Sequence, residues 1–555
     1  MQRLSRREFL KRLSLGAAGA YVTLHASPSF AKASAVRAKS EGAASIDPPI
    51  GALFKDPLEM PNLSTTPGVV EVRVEAKPAL VNINGNMATL LTYNGSYPAP
   101  TIRVKSGDLL KIHFRNSLPP MDGNILGHDQ ELTNIHTHGL HVSPAGESDN
   151  AMIKCTAGET FDYQYDLAKQ EPGTLNFYHP GSQGSVAEQY WSGMAGAMVV
   201  EDDNKALSGY ETHILVLKDI TLDGGAPKPY ASLRDYLRGR EGDTVMVNGQ
   251  VNPVLLIRPG QVQRWRILNA SNARFYRLSL EGHQFHIIGT DAGLLDRPYQ
   301  TASMLLSPGE RLDILVKADR PVKNYCFLSL PYDRGYGSAG SQVALMTLSY
   351  RGPASRDALP IVINPAARRI SVDPVKTERI VLSMGEGKGY VNGRSFSNPE
   401  VHTIHSELGS HEIWEIVNQS DMDRPFHQHV NACQVLSIHG GDPAYASFYT
   451  KTPAWKDTVL VPRGGSARLL VPVMDYAGTA LFHSAIAEHQ DLGVAGVWDI
   501  TINNNTADDS SMNGNDTPET DAPQAAGNGA KGHPRSRRRY YKGKVRPSSP
   551  MKTTK

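Results

Sequence analysis

PAPTIRVKSGDLLKIHFRN, residues 98–116, is the stretch from which the fold is read. Leu110, Ile112 and Phe114 alternate with Lys111, His113 and Arg115, so the apolar side chains fall on one face of a strand and the charged ones on the other. Ser106-Gly107 supplies a turn within the stretch and Asn94-Gly95 another just before it, as half-buried strands of a sandwich require. Outward from here the chain reads as β to about residue 502, and helical periodicity is scarce. VNGQ (247–250) followed by RWRILNAS (264–271) returns as VNGR (391–394) followed by EIWEIVNQS (412–420), which reads as a duplicated Greek-key domain. Joins rich in Pro, Gly and Ser, such as RGPASRDALP (351–360), place boundaries near 204 and 360. The expectation is an all-β chain of three similar barrels.

Length and charge agree with this reading and exclude others. A chain of 555 residues can hold several cores, and a net charge of +2 gives no reason to expect nucleic acid as a partner. Cys155, Cys326 and Cys433 are odd in number and widely spaced, with no C-x-x-C pair, so they form no disulfide framework. Residues 1–33, MQRLSRREFLKRLSLGAAGAYVTLHASPSFAKA, combine Arg6-Arg7, Phe9-Leu10-Lys11, a weakly apolar Gly/Ala stretch and an Ala31-Lys32-Ala33 end. They resemble a twin-arginine export signal, so the mature chain is expected to begin near Ser34, in the periplasm or outside the cell. A linker is expected over 34–62 and barrels over 63–203, 204–360 and 361–502. From 503 to 555 large aliphatic residues nearly vanish, and Lys531 to Lys555 is basic without one acid. That composition reads as a disordered tail that either stays solvated or meets an anionic surface or envelope partner. The chain is expected to be a monomer.

The histidines carry the chemistry. NIHTHGLH holds His136 and His138, FYHPGSQG holds His179, RPFHQHV holds His427 and His429, and LFHSAIAEH holds His483 and His489. On a strand, H-x-H puts two imidazoles on one face, so two such pairs from opposite ends of a repeated β chain can converge on metal.

Those motifs, with NASNARFYRLSLEGHQFHIIGTDAG (269–293) and SPGERLDILV (307–316), make residues 65 to 502 resemble a three-domain multicopper oxidase of the laccase class. The resemblance implies three cupredoxin-like barrels, a trinuclear copper cluster between the first and third, and a separate blue copper. Carried over residue by residue, it implies that the blue site is lost: its first ligand falls on Arg424, its cysteine on Ser484, its second histidine on His489 and its axial methionine on Val494. Ser484 offers no thiolate, and Arg424 places a fixed cation where copper would sit. The cluster is only thinned. His136 and His427 match the type-2 ligands. One dinuclear copper keeps His138 and His179 and loses a ligand at Ala485; the other keeps His429 and His483 and loses one at Gly181. Ser182 and Ser484 are the hydroxyls near enough in sequence to fill those gaps. Asp149 matches the acid that manages protons beside the cluster, although in GESDN an Asp is also an ordinary turn residue.

Three functions follow from such a chain. It can be a non-blue copper oxidoreductase with one or two copper ions, acting directly on a small-molecule substrate. It can sequester copper. It can also be a metal-free scaffold, like the copper-free, twin-arginine-exported cell-division protein of the same superfamily. The fifteen methionines are scattered, and Met-rich copper-handling inserts are absent.

Overall fold

The alternation at Leu110, Ile112 and Phe114 becomes the strand Leu109–Asn116, in which these three side chains are buried and the residues between them are not. Each contributes about 1.5–3 kcal/mol by leaving water. The computed structural model describes residues 51–335, 340–396 and 401–502. The segment expected to be an export signal, the first part of the expected linker and the basic tail lie outside the described residues.

Leu109–Asn116 lies parallel to Val69–Ile83 and antiparallel to Thr160–Asp166. The same three-strand arrangement recurs twice. Val262–Asn269 runs parallel to Glu211–Ile220 and antiparallel to Arg311–Lys317, and His411–Asn418 runs parallel to Lys376–Gly385 and antiparallel to Ser466–Pro472. In the facing sheets the parallel pairs are Ala99–Val104 with Gly196–Val200, Val254–Ile257 with Val343–Tyr350, and Thr403–Glu407 with Ala495–Thr501. Two facing sheets per unit give three Greek-key sandwiches in sequence. Four short helical segments interrupt them among the described residues, and none of these is long and apolar enough to cross a membrane.

The repeat is threefold where the sequence showed it as twofold. Tyr93-Asn94-Gly95-Ser96, Val247-Asn248-Gly249-Gln250 and Val391-Asn392-Gly393-Arg394 are the same turn, with each asparagine at φ between +48° and +55°. The short amide of Asn tolerates that left-handed conformation and is used each time as a staple. Asn94 accepts from the Glu75 N–H and donates to the Arg73 carbonyl; Asn248 does so with Val216 and Ile214, and Asn392 with Val381 and Arg379, at 2.7–2.9 Å throughout.

Two pairings then place the histidines. In the first sandwich His136–His138 runs antiparallel to Leu175–His179, with His136 opposite His179. In the third, Arg424–Gln428 runs antiparallel to Gly478–Ser484, with His427 opposite His483. The first and third barrels therefore each carry a histidine-bearing strand pair, and the two pairs face each other.

Candidate metal centre and a plugged second site

Six of the predicted ligands, His136, His138, His179, His427, His429 and His483, are at most 5% exposed and lie together between the first and third sandwiches. They meet as three facing pairs. His136 Nε2 is 3.3 Å from His427 Nε2, His138 Nδ1 is 3.4 Å from His179 Nε2, and His429 Nε2 is 3.2 Å from His483 Nε2.

The outer nitrogens decide what those inner nitrogens are. His179 Nδ1 is 2.8 Å from the Pro180 carbonyl, His483 Nδ1 is 2.9 Å from the Ser484 carbonyl, and His427 Nδ1 is 3.0 Å from the Asp457 carbonyl. A carbonyl only accepts, so each of these nitrogens carries the proton. Asp149 does the same for His136, at 3.0 Å from Nδ1, and its Oδ2 lies 3.2 Å from His429 Nδ1 without hydrogen-bond geometry. His138 Nε2 is held by Thr458 Oγ1 at 2.9 Å and the Asp457 carboxylate at 3.3 Å. In the His136–His427 and His138–His179 pairs both inner nitrogens are consequently lone pairs, which cannot hydrogen-bond to each other. A cation between them satisfies both members of a pair, and 3.2–3.4 Å is the separation of two nitrogens each about 2.0–2.1 Å from one metal. The residues present fit a metal.

Burial favours the neutral form at five of the six rings. It pushes the imidazole pKa values of His138, His179, His427 and His483 down and takes that of His429 to about 3. Burial alone would raise Asp149 and Asp457, but His136 and His429 around the first, and Arg311 beside the second, outweigh it and hold both carboxyls well below the usual range.

Asp457 and Thr458 carry no sequence signal that pairs them with histidines three hundred residues away. Asp457 is also one corner of a buried charge network. Arg311 Nη1 donates to Asp457 Oδ1 at 2.7 Å, and Lys456 Nζ reaches Asp291 at 2.8 Å and Glu310 at 2.6 Å, all essentially without exposure. Asp291, Glu310 and Arg311 belong to the two middle-sandwich segments quoted above, so those motifs buttress the cluster from behind. Gly139, at φ +97°, admits this network: a Cβ there would meet Arg311 and Asn176 within 2.6 Å.

The two positions at which the resemblance implies lost ligands differ. Ala485 opens on a cavity of about 10 Å³ shared with His138, His179, Tyr190 and His483. Gly181 lines a second, also about 10 Å³, with His136, Asp149 and His429. Each has room for about one water. A Cβ at Gly181 would already lie 3.0 Å from His136 Cβ, so the backbone has closed on much of the vacated space. The structure does not bring Ser182 or Ser484 into either cavity. Ser484 Oγ instead accepts from the Ile486 N–H at 3.3 Å. Gln490, which the sequence did not single out, lines both cavities.

The predicted blue site is plugged. Arg424, 1% exposed, donates from Nη1 to His489 Nδ1 at 2.8 Å and from Nε to Ser420 Oγ at 2.9 Å, while His489 Nε2 is 3.2 Å from the Leu237 carbonyl. Both nitrogens of His489 are thereby used. Burial lowers the Arg424 pKa to about 10, which leaves it cationic at neutral pH. Val494 is fully buried, and its carbonyl accepts from the Ser484 N–H at 3.0 Å. Copper-loaded protein is therefore expected to lack the intense blue absorption of a copper–thiolate site, and Ser484→Cys alone is expected not to restore it. An intense blue band in either protein would overturn this assignment.

Comparisons with known proteins agree with this geometry. Sequence profiles described as multicopper oxidase match residues 75–205, 210–353 and 369–504. A multicopper oxidase mco from Staphylococcus haemolyticus is 30% identical over 428 residues, covering 75% of this chain and 85% of that protein. A cell division protein FtsP from Xenorhabdus nematophila is 30% identical over 471 residues, covering 79% and 91%. Among solved structures, a multicopper oxidase from Campylobacter jejuni described as a metallo-oxidase superposes with a TM-score of 0.71 at 28% identity, covering 81% of this chain and 96% of that one. With three profiles spanning most of its length and its histidine strands in facing pairs, the chain belongs to the multicopper oxidase family.

Proposed function

We propose that this chain is an exported, monomeric, non-blue copper oxidoreductase whose thinned histidine cluster holds one or two copper ions and meets a small substrate directly. The convergence of six buried imidazoles, five of them fixed by an acceptor behind the ring, carries the reading. Copper bound there supplies one-electron redox chemistry. The chain's own residues orient and insulate: Asp149 aligns His136 and His429, Asp457 and Thr458 align His138 and His427, and the Pro180 and Ser484 carbonyls align His179 and His483. The stoichiometry follows from the groupings. His136, His427, His429 and His483 lie within reach of one ion, and His136 also groups with His138 and His179. Because His136 Nε2 can serve one ion only, the second grouping falls to two imidazoles when the first is filled. Arg6-Arg7 and the small-residue end near Ala33 support export to the periplasm or beyond.

Metal analysis of protein recovered from the periplasmic fraction of copper-replete cells is expected to find one or two copper ions per chain. Four tightly bound ions would refute the ligand set, and recovery of the chain only in the cytoplasm would refute export. A metal-free binding scaffold is the second reading, supported by the similarity to the cell division protein over 471 residues. Its basic tail would then be the partner-facing segment, and a copper content of zero in the same measurement would favour it.

A further inference from the structure

We propose that the cleft where the three sandwiches meet, apart from the histidine cluster, binds a short peptide with free termini, held extended; the proposal needs no metal. The cleft has a volume of about 500 Å³, the size of a small-molecule site. None of the six histidines lines it. Leu140 from the first sandwich, Leu294 from the second and Trp455 from the third give it apolar and aromatic surface. Glu171, from the first sandwich, and Arg368, from the segment joining the second and third, are exposed residues of its lining and supply one anion and one cation.

Gln428 and Asn431 make the lining selective. They are 1% and 3% exposed, and Gln428 follows His427 on the strand Arg424–Gln428, so its side chain leaves the cluster for the other face. Gln428 Nε2 donates to the Asn431 carbonyl at 2.8 Å, and Asn431 Oδ1 accepts from the Met474 N–H at 3.1 Å, which fixes the nitrogen end of each amide. The remaining atoms, Gln428 Oε1 and Asn431 Nδ2, have no partner among the described residues. A buried acceptor and a buried donor left unpaired each cost their desolvation, and a ligand that pairs both recovers it. One residue of an extended peptide does so, because its own N–H and C=O point to the same edge, as in a strand that exchanges two hydrogen bonds with its neighbour. A zwitterionic peptide also brings an ammonium for Glu171 and a carboxylate for Arg368.

The test titrates full-length protein with the tripeptide Ala-Leu-Ala and follows heat and tryptophan fluorescence. Trp455 is the one tryptophan of five that is not fully buried, so it reports on the cleft. One site per chain is expected. The ester analogue, in which oxygen replaces the N–H of the central residue, leaves Gln428 Oε1 unpaired and is expected to bind roughly 10-fold more weakly. N-acetyl-Ala-Leu-Ala-amide, which lacks both charges, is expected to bind at least threefold more weakly. Asn431→Asp keeps the acceptor used by the Met474 N–H and removes the donor, and Ala367→Trp fills the cleft from the joining segment. Each is expected to weaken binding at least 10-fold in protein that still unfolds cooperatively. Heat that does not saturate means that only solvent meets the two amides, and overturns the proposal. An ester or a capped peptide that binds as tightly as Ala-Leu-Ala, or a filled cleft that binds it unchanged, overturns it too.

Discussion

Asp457→Ala is expected to cost roughly 3–5 kcal/mol of stability, more than any other single change at the site, because it leaves a fully buried guanidinium without its carboxylate. Arg311 would keep only carbonyl partners, at Leu175, Gly309 and Asp291, and an Asp291 carboxylate 3.7 Å away. Those carbonyls solvate the charge without neutralising it. The residue also joins the sandwiches: Arg311 belongs to the second, Leu175 to the first and Asp457 to the third, so their docking should loosen along with the local packing. The measurement is the urea midpoint of metal-free protein, which removes any contribution from lost copper. Asp457→Asn, which keeps one acceptor oxygen, should lose less. A loss under about 1 kcal/mol for Asp457→Ala would mean that the network is not what holds the three sandwiches together.

Replacing His136 and His427 together by Ala is expected to abolish the rise in melting temperature that copper produces. One residue comes from the first sandwich and the other from the third, and the unfolded chain cannot bring them 3.3 Å apart. With free copper at a thousandfold its Kd, mass action stabilises the folded state by about 4 kcal/mol, and the double variant should lose all of that increment. His489→Ala should leave the increment intact, since His489 is committed to Arg424 and Leu237. If the double variant keeps the increment, or His489→Ala removes it, the metal lies elsewhere.

The pH dependence has a definite sign. Imidazoles depressed by burial contribute stability that is present above the unfolded value near 6.5 and lost as pH falls toward their folded values, about 3 for His429. Metal-free protein should therefore weaken steadily below about pH 6.5. Because burial disfavours charging those rings, copper binding should persist to lower pH than an ordinary histidine site would allow. Asp491 acts with the opposite sign: burial takes its carboxyl, which accepts from the Gly184 and Ala187 N–H groups, to about 8, so its contribution is present below the ordinary carboxylate value and is lost as pH rises toward 8.

Much of this molecule was legible in its residues one at a time. Period-two alternation at Leu110, Ile112 and Phe114 specifies a half-buried strand because successive side chains point to opposite faces of a sheet. Asn-Gly at 248–249 and 392–393 specifies a tight turn because few side chains tolerate positive φ. H-x-H at 136–138 and 427–429 specifies two imidazoles on one face, and Ser484 specifies the absence of a thiolate. These are local rules of backbone geometry and side-chain chemistry, and they need no knowledge of the rest of the chain.

Contacts between distant segments obey no such rule. That Arg424 turns onto His489 and uses its last free nitrogen, that Asp457 supports His138 and His427 as Asp149 supports His136 and His429, and that the vacated ligand positions keep only water-sized holes were decided by how three sandwiches pack. So was the protonation of the cluster: an imidazole becomes a ligand or a hydrogen-bond donor according to which carbonyl or carboxylate stands behind its other nitrogen. That neighbour comes from packing, in which sequence separation carries no weight.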